Sequence, residues 1–321
     1  MSLISTGSYA PKFSLENEHL TKLVDTSTEW IEKRTGIKRR NISAGENTSD
    51  LAYEAAKQAI ENSGVALEDI DLVLVATITP DHFTPSTASI VQGKLGIKNA
   101  VAFDLSAGCT GFVYALGVAS SMIKNGIANN ALVIGSEVLS KVIDYADRNT
   151  CVIFGDGAGA LVLTKELNNK IKDVYLQGEY DTAHNIQIQS VNVSNAMFTA
   201  QDESQLPKLT MNGGEVYKFA LGALSELVQV IMERNNLTSE DIKYIVPHQA
   251  NFRIIEAVSK KLDIDINKFY MNIENYGNTS SASIPIALAE MNSLGLLQKG
   301  DKIIIAGFGA GLTWGSILIE W

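Results

Sequence analysis

Two stretches decide the fold when laid side by side: "AIENSGVALEDIDLVLVATITPD" (59–81) and "IMERNNLTSEDIKYIVPHQAN" (231–251). Each closes a helix, turns, carries an acidic "EDI" and enters an apolar run that reads as a buried strand. A second pair follows in the same order. "CVIFGDGAGALVL" (from Cys151) lies against "FGAGLTWGSILI" (from Phe308), in each case a Gly-rich turn leading into a closing strand. Two matched pairs in one order point to an internal duplication.

Working outward, "DLVLVATIT" (from Asp71), "ALVIGSE" (from Ala131) and "KIIIAGFG" (from Lys302) read as buried strands. Between such runs lie helices. Val216, Phe219, Ala220, Ala223, Leu224, Leu227, Val228 and Ile231 recur at three- and four-residue steps and form one apolar face. A second helix is predicted from Cys109, with Phe112, Leu116, Ala119 and Ile123 on one side. This alternation predicts an α/β fold with helices packed on sheets. No Pro/Ser-rich linker parts the halves, placed at 1–168 and 169–321, so they are expected to pack tightly.

The chain has 321 residues, a formal net charge of −10 and 45% hydrophobic residues, enough for a sizeable core. The acidic balance argues against nucleic acid as the main partner. No uninterrupted apolar run reaches about 18 residues, the length a membrane span needs. The N-terminal stretch lacks the basic and apolar regions of a secretory signal. Two cysteines make no disulfide framework, and a reducing cytoplasm is the expected setting.

One of those cysteines stands in "SAGCTGFVYALG" (from Ser106), where the helical pattern starts. Unpaired N–H groups and partial positive charge at a helix N-terminus would stabilise a thiolate and lower its pKa. Gly108 and Gly111 leave room for a substrate carbonyl. Read alone, Cys109 fits a nucleophile or a small packing residue equally well. Cys151 has apolar, strand-like surroundings and reads as structural.

A nucleophile needs a partner. His19, His82 and His184 lie in polar or loop segments. His248 ends a buried strand, where side chains of α/β folds emerge into crevices; by itself it could be a satisfied core histidine or a catalytic one. Asn278, in "YGNTSSASIP" (from Tyr276), precedes a helix start at Thr279 or Ser280 and could be a cap residue. Under the duplication, that helix start corresponds to the one at Cys109, so two helix N-termini would face one cleft. Cysteine with histidine and asparagine is a known route to acyl chemistry. The turn "GFGAGLTWG" (from Gly307) offers N–H groups for an oxyanion hole with the amide of Cys109.

"VDTSTEWIEKRTGIKRR" (from Val24), "SAGCTGFVYAL", "DRNTCVIFGDGAGA" (from Asp147), "VPHQANFRII" (from Val246), "YGNTSSASIP" and "GFGAGLTWGS" together resemble the β-ketoacyl-acyl-carrier-protein synthase III family, nearly end to end. The resemblance implies a duplicated, five-layered α/β/α/β/α thiolase-like fold, a homodimer, and no metal or redox cofactor. It implies that Cys109 is acylated by an acyl-CoA, and that His248 and Asn278 bind the thioester carbonyl of malonyl-acyl carrier protein while it loses CO2. It places the oxyanion amides at Cys109 and Ala310, the latter where relatives often have glycine. Trp30, Arg34, Arg148 and Asn251 match the CoA site, with Trp30 and Arg34 inside a basic cluster of Lys33, Arg34, Lys38, Arg39 and Arg40. Arg253, Lys218, Lys260 and Lys261 lie where the family docks its carrier protein.

Two features depart from the family pattern. Asn149 stands where relatives commonly have glycine, and the stretch from Gly178 to Ser204 is atypical in a region near the acyl pocket. The starter acyl group is therefore left open, and a relative serving specialised metabolism is the alternative. A thiolase is disfavoured, because the C-terminal Gly-rich turn holds no second cysteine. A partner-binding paralogue is disfavoured because the candidate nucleophile and its partners are all present.

Overall fold

The structure, a computed structural model, describes residues 5–166, 168–190 and 207–321. Its frame is two sheets of matching design. The first runs in the order Ser5–Tyr9, Gly157–Thr164, Asn130–Glu137, Leu72–Ala76, Val101–Leu105. The second runs Ile171–Gly178, Thr313–Glu320, Lys302–Gly309, Tyr244–Pro247. Leu72–Ala76 pairs parallel with Asn130–Glu137, as Tyr244–Pro247 does with Lys302–Gly309. The strands that follow on that side pair antiparallel in both sheets. At the place of Val101–Leu105, the second sheet has a single parallel bridge between Ile245 and Phe269. The two matched sequence pairs thus occupy equivalent positions.

Side-chain alternation sorts the layers. In Leu72–Ala76, the side chains of Leu72, Leu74 and Ala76 enter a central core with helices Gly111–Lys124 and Ser283–Ser293. Val73 and Val75 face the other way, onto helices Thr48–Ser63 and Thr87–Leu95. The second sheet repeats the division. Ile303 and Ile305 join the central core, while Ile304 and Ala306 pack on Gly213–Arg234 and Phe252–Leu262. Five layers result, helix–sheet–helix–sheet–helix, with one helix of each half in the middle. The amphipathic face predicted for 216–231 is buried in that outer core.

Local chemistry sets the element ends. Helix Thr48–Ser63 opens on a capping box between Asn47 and Asp50 and stops at Gly64, whose φ of +70° suits glycine. The two central helices share a less usual start. Each follows a three-residue 3₁₀ turn, Gly108–Thr110 or Ser280–Ala282, whose first residue is left-handed: φ is +54° at Gly108 and +51° at Ser280. The helix expected at Cys109 therefore begins two residues later, at Gly111. Cys151 is buried at the end of the short helix Arg148–Cys151, not in a strand, because Asp147 caps that turn through Asn149 N–H.

The central helices lie against bare backbone. A Cβ added at Gly159 would come within 2.5 Å of Ile286 N, so helix Ser283–Ser293 needs glycine beneath it. Gly159→Ala is expected to destabilise by overpacking, at about 1–3 kcal/mol. This reads as a lower urea midpoint at unchanged slope; an unshifted midpoint would show that the helix yields freely.

Candidate active site

The site lies where the two central helices begin. Cys109 is in the middle of the turn Gly108–Thr110 and is 7% exposed. The end of strand Lys302–Gly309 presses on it. A Cβ at Gly309 would stand 2.7 Å from Cys109 N and 2.9 Å from its Cβ. A Cβ at Gly108 would stand 2.8 Å from the carbonyl oxygen of Ala310 and 2.9 Å from its N. Thr313 ties the approach: its hydroxyl bonds the carbonyls of Ala107 and Ala310, both at 3.0 Å. Ala310 itself is outside the left-handed region, so its Cβ is tolerated; Gly311 takes the extreme φ of +147° instead.

The turn Ser280–Ala282 and the helix start at Ser283 bring in the other candidates. The Ser280 side chain acts to lower the pKa of the Cys109 thiol, against the larger effect of burial. The Ser280 N–H donates to Asn278 Oδ1 at 2.8 Å, which turns the Asn278 carboxamide so that its Nδ2 is left to bind elsewhere. His248 follows strand Tyr244–Pro247 and is 1% exposed. Its Nδ1 is 2.7 Å from Ser283 Oγ, and its ring meets Phe308 edge-on at 5.3 Å. Ser283 Oγ also accepts the Gln249 N–H at 3.3 Å; in the tautomer in which it donates its own proton to Nδ1, the imidazole hydrogen stands on Nε2. Imidazole and carboxamide are thus tied to serines of the segment Ser280–Ser283, and Ser280 also bears on the Cys109 thiol.

The chain as a whole has counterparts among known proteins. The family model described as 3-oxoacyl-[acyl-carrier-protein] synthase III matches residues 103–179, and its C-terminal companion matches 232–321. A β-ketoacyl-[acyl-carrier-protein] synthase III of Clostridium acetobutylicum is 51% identical over 100% of this chain and 98% of its own length. The chain belongs to the 3-oxoacyl-[acyl-carrier-protein] synthase III family. A crystal structure of the Aquifex aeolicus synthase III superposes with a TM-score of 0.91 at 42% identity, covering 99% of this chain and 98% of that one. A priming β-ketosynthase from the R1128 polyketide biosynthetic pathway superposes equally well, TM-score 0.91, at 33% identity over 98% and 94% of the two chains.

Electrostatically, burial dominates this synthase III site and disfavours charge on its thiol and imidazole. Burial pushes the Cys109 thiol up to about 12, with the Ser280 side chain opposing and the charge of Glu137 reinforcing. The lowering expected from the helix terminus is therefore outweighed by desolvation. Burial also pushes His248 down to about 3, so its ring is an uncharged donor at any ordinary pH. Glu137 was not foreseen as part of the site. It is fully buried at the end of strand Asn130–Glu137, and burial raises its pKa against several hydrogen bonds. Ser280, Ser283 and Phe308 were also not singled out.

The proposed CoA residues converge on the surface. Trp30, 36% exposed, lies on helix Thr28–Thr35; the guanidinium of Arg148 is 5.0 Å from its ring centroid and that of Arg34 is 6.0 Å away. Asn251 caps helix Phe252–Leu262 and donates to the Arg34 carbonyl at 3.1 Å. Asn149 adjoins Arg148 in the same short helix. The basic cluster is smaller than expected, because Arg40 points inward and is fully buried. Its guanidinium donates to Leu15 O, Asn17 Oδ1 and Val152 O. Lys38 pairs with Glu274 at 2.9 Å. Of the carrier-docking candidates, all are exposed; Lys218 pairs with Glu215 and Lys260 with Glu256. Among the described residues no three His, Cys, Asp or Glu side chains cluster as a metal site, and no helix is long and apolar enough to cross a membrane. Residues 191–204 of the atypical stretch lie outside the described residues.

Gly309→Ala should displace Cys109 and lower its acylation by acyl-CoA by about 100-fold, as small misplacements of reacting groups do; near-normal acylation would show that the turn can shift harmlessly. A second expectation concerns pH. Protonation of His248 requires descent toward its lowered pKa, so malonyl-thioester decarboxylation should show no acid limb from this ring between about pH 5 and 8. A limb near about pH 6.5 that vanishes in His248→Asn would contradict this.

Proposed function

We propose that the chain condenses an acyl-CoA starter with malonyl-acyl carrier protein to give a 3-oxoacyl-acyl carrier protein, through an acyl-Cys109 intermediate. This is the initiating step of fatty acid synthesis. The observation that carries the reading is the junction itself: a thiol, a neutral imidazole and a carboxamide in one water-poor place, beside the amides of Cys109 and Ala310.

The roles follow from where charge develops. Attack of Cys109 on the starter thioester makes an oxyanion, which the amides of Cys109 and Ala310 are placed to receive. CoA departs as a stable thiolate. Loss of CO2 from the malonyl group then places negative charge on a thioester oxygen. His248 Nε2–H and Asn278 Nδ2 donate to that oxygen, and being uncharged they need no counter-ion in either state. The enolate carbon attacks the acyl-cysteine, the oxyanion again meets the two amides, and Cys109 leaves as the product forms.

Outside the junction, the indole of Trp30 with Arg34 and Arg148 offers a flat cationic platform for the adenine of CoA, and Asn251 adjoins the arm that leads inward. Arg253 and Lys261, which have no ion pair among the described residues, with Lys218 and Lys260, would steer an acidic carrier protein. The halves 1–168 and 169–321 are the two units of the duplication. Strand Val101–Leu105 is a sheet edge whose Val101 is exposed, and we assign it to a homodimer contact. The substrates are soluble cytoplasmic thioesters, and the reaction is assigned to that compartment.

Incubation with a panel of acyl-CoAs followed by intact mass should give one acyl adduct per chain, lost in Cys109→Ala, and the preferred acyl group identifies the starter. Labelling by acyl carrier proteins but by no acyl-CoA, or label persisting in Cys109→Ala, would overturn the reading.

A further inference from the structure

In the turn that follows strand Lys302–Gly309, the carbonyls of Ala310, Gly311, Leu312 and Thr313 all accept hydrogen bonds. The N–H of Asp181 donates to Gly311 O at 2.9 Å, and that of Glu179 to Leu312 O at 2.8 Å. The Thr110 hydroxyl donates to Thr313 O at 3.0 Å. The Thr313 hydroxyl lies 3.0 Å from Ala310 O, 3.0 Å from Ala107 O and 3.0 Å from Thr110 Oγ1. With the Thr110 proton directed at Thr313 O, Thr110 Oγ1 is left to accept from Thr313. The two hydroxyls therefore close a clasp between the nucleophile's turn and the turn opposite.

The clasp brackets the site. Ala107 and Thr110 stand on either side of Cys109, and Ala310 and Thr313 are the two ends of the opposing turn. Thr110 is fully buried and Thr313 half-buried. The glycine contacts at Cys109 and Ala310 limit only how near the turns may come. Directional hydrogen bonds also limit how far apart they drift and how their peptide planes turn. The carbonyls of Ala107 and Ala310 belong to the peptide units adjoining those that carry the Cys109 and Ala310 N–H groups. Gly108 and Ala310 are the single joints between. Gly108 is left-handed and free to swing as only glycine is, so a fixed Ala107 carbonyl restrains the softer joint.

We infer that Thr110 and Thr313 are positioning residues that hold the amides of Cys109 and Ala310 as one oxyanion hole. The inference rests on the acyl-Cys109 reading. Neither threonine touches substrate; both act through the backbone they fix. An oxyanion stabiliser works by standing ready where charge will appear, so its two donors must keep their mutual aim before the reaction begins. That charge appears twice at the clasped amides: when Cys109 attacks the starter thioester, and when the enolate carbon attacks the acyl-cysteine. Decarboxylation places its charge elsewhere, on the malonyl thioester oxygen. Its donors, His248 and Asn278, are held by Ser283 and Ser280, which the clasp does not reach. The clasp therefore serves acylation and condensation and is idle in the step between them. A staple that merely joined the two halves would favour no step over another.

The test uses Thr313→Val, which removes the hydroxyl at nearly unchanged shape, and Thr313→Ser, which keeps it. Thr110→Val opens the clasp from the other side and decides the matter if Thr313→Val does not fold. Cys109 acylation is followed by rapid-quench intact mass over a range of acyl-CoA concentrations, and malonyl-thioester decarboxylation is measured separately. Wild-type acylation at Cys109 secures the underlying reading; its absence would sink that reading and the clasp with it. Each valine variant should lower the maximal acylation rate by about tenfold or more, short of the roughly 100- to 1,000-fold cost of losing an oxyanion donor outright. The acyl-CoA concentration giving half that rate should hold within about twofold, because the clasp bears on the transition state rather than on binding. Decarboxylation in the valine variants, and acylation in Thr313→Ser, should stay within about threefold of wild type. With the wild type acylated, four results would each overturn the clasp alone: wild-type acylation rates in the valine variants, a change confined to half-saturation, decarboxylation falling as far as acylation, or no rescue by Thr313→Ser.

Discussion

The whole site depends on backbone meeting backbone where the two halves touch. Gly309 lies against Cys109, Gly108 against Ala310, and Gly135 against Ser281, whose carbonyl oxygen would be 2.4 Å from an added Cβ. At such distances no side chain fits on the inner side of any of the three. The approach brings main-chain amides from a strand end of one half to the nucleophile of the other, an arrangement that side chains alone could not hold rigidly. Glycines here serve the reaction by their absence of bulk, and the central helices are thereby locked to both sheets.

Water exclusion follows from that contact, and it fixes the chemical style of the site. Buried among apolar and hydrogen-bonded neighbours, the thiol and the imidazole are both held neutral at ordinary pH. A neutral donor pair suits an enolate, since it stabilises new charge without a standing one. The same burial makes the thiol hard to ionise. Charge is instead displayed at the surface, where Trp30 gathers Arg34 and Arg148.

Much of this could be seen in the chain itself. Apolar strands and the repeated "EDI" turn carry their periodicity openly, so the duplication and the packing of helices on sheets were legible, whereas the five layers came only with the family resemblance. Cys109, His248 and Asn278 each stand at an element end, which is where a side chain can leave the core. Other features depend on distant pairings that no local pattern encodes. Glu137 closes the quoted strand "ALVIGSE", and a charge ending a buried run was the available signal, but its five hydrogen-bonding neighbours come from two other segments, around 78 and around 280. Arg40 reads as one more surface cation among Arg39 and Lys38 until strand pairing turns it inward. The direction of the Cys109 shift also depends on burial, which a helix-terminus argument does not contain.

Symmetry sharpens the last point. A duplicated frame presents two equivalent turns to one junction, each a left-handed residue, two further 3₁₀ positions and a helix. By position, Ser281 is the counterpart of Cys109 and Ser280 that of Gly108. The frame therefore specifies where reactive groups can stand but not which half supplies them. One turn received the nucleophile and the glycine that lets the opposite strand approach. The other received hydroxyls that bond the neighbouring carboxylate of Glu137. Because the central helices start from the same place, their two N-terminal turns come together at the thiol, and the division of labour between them is written in single residues at matched positions.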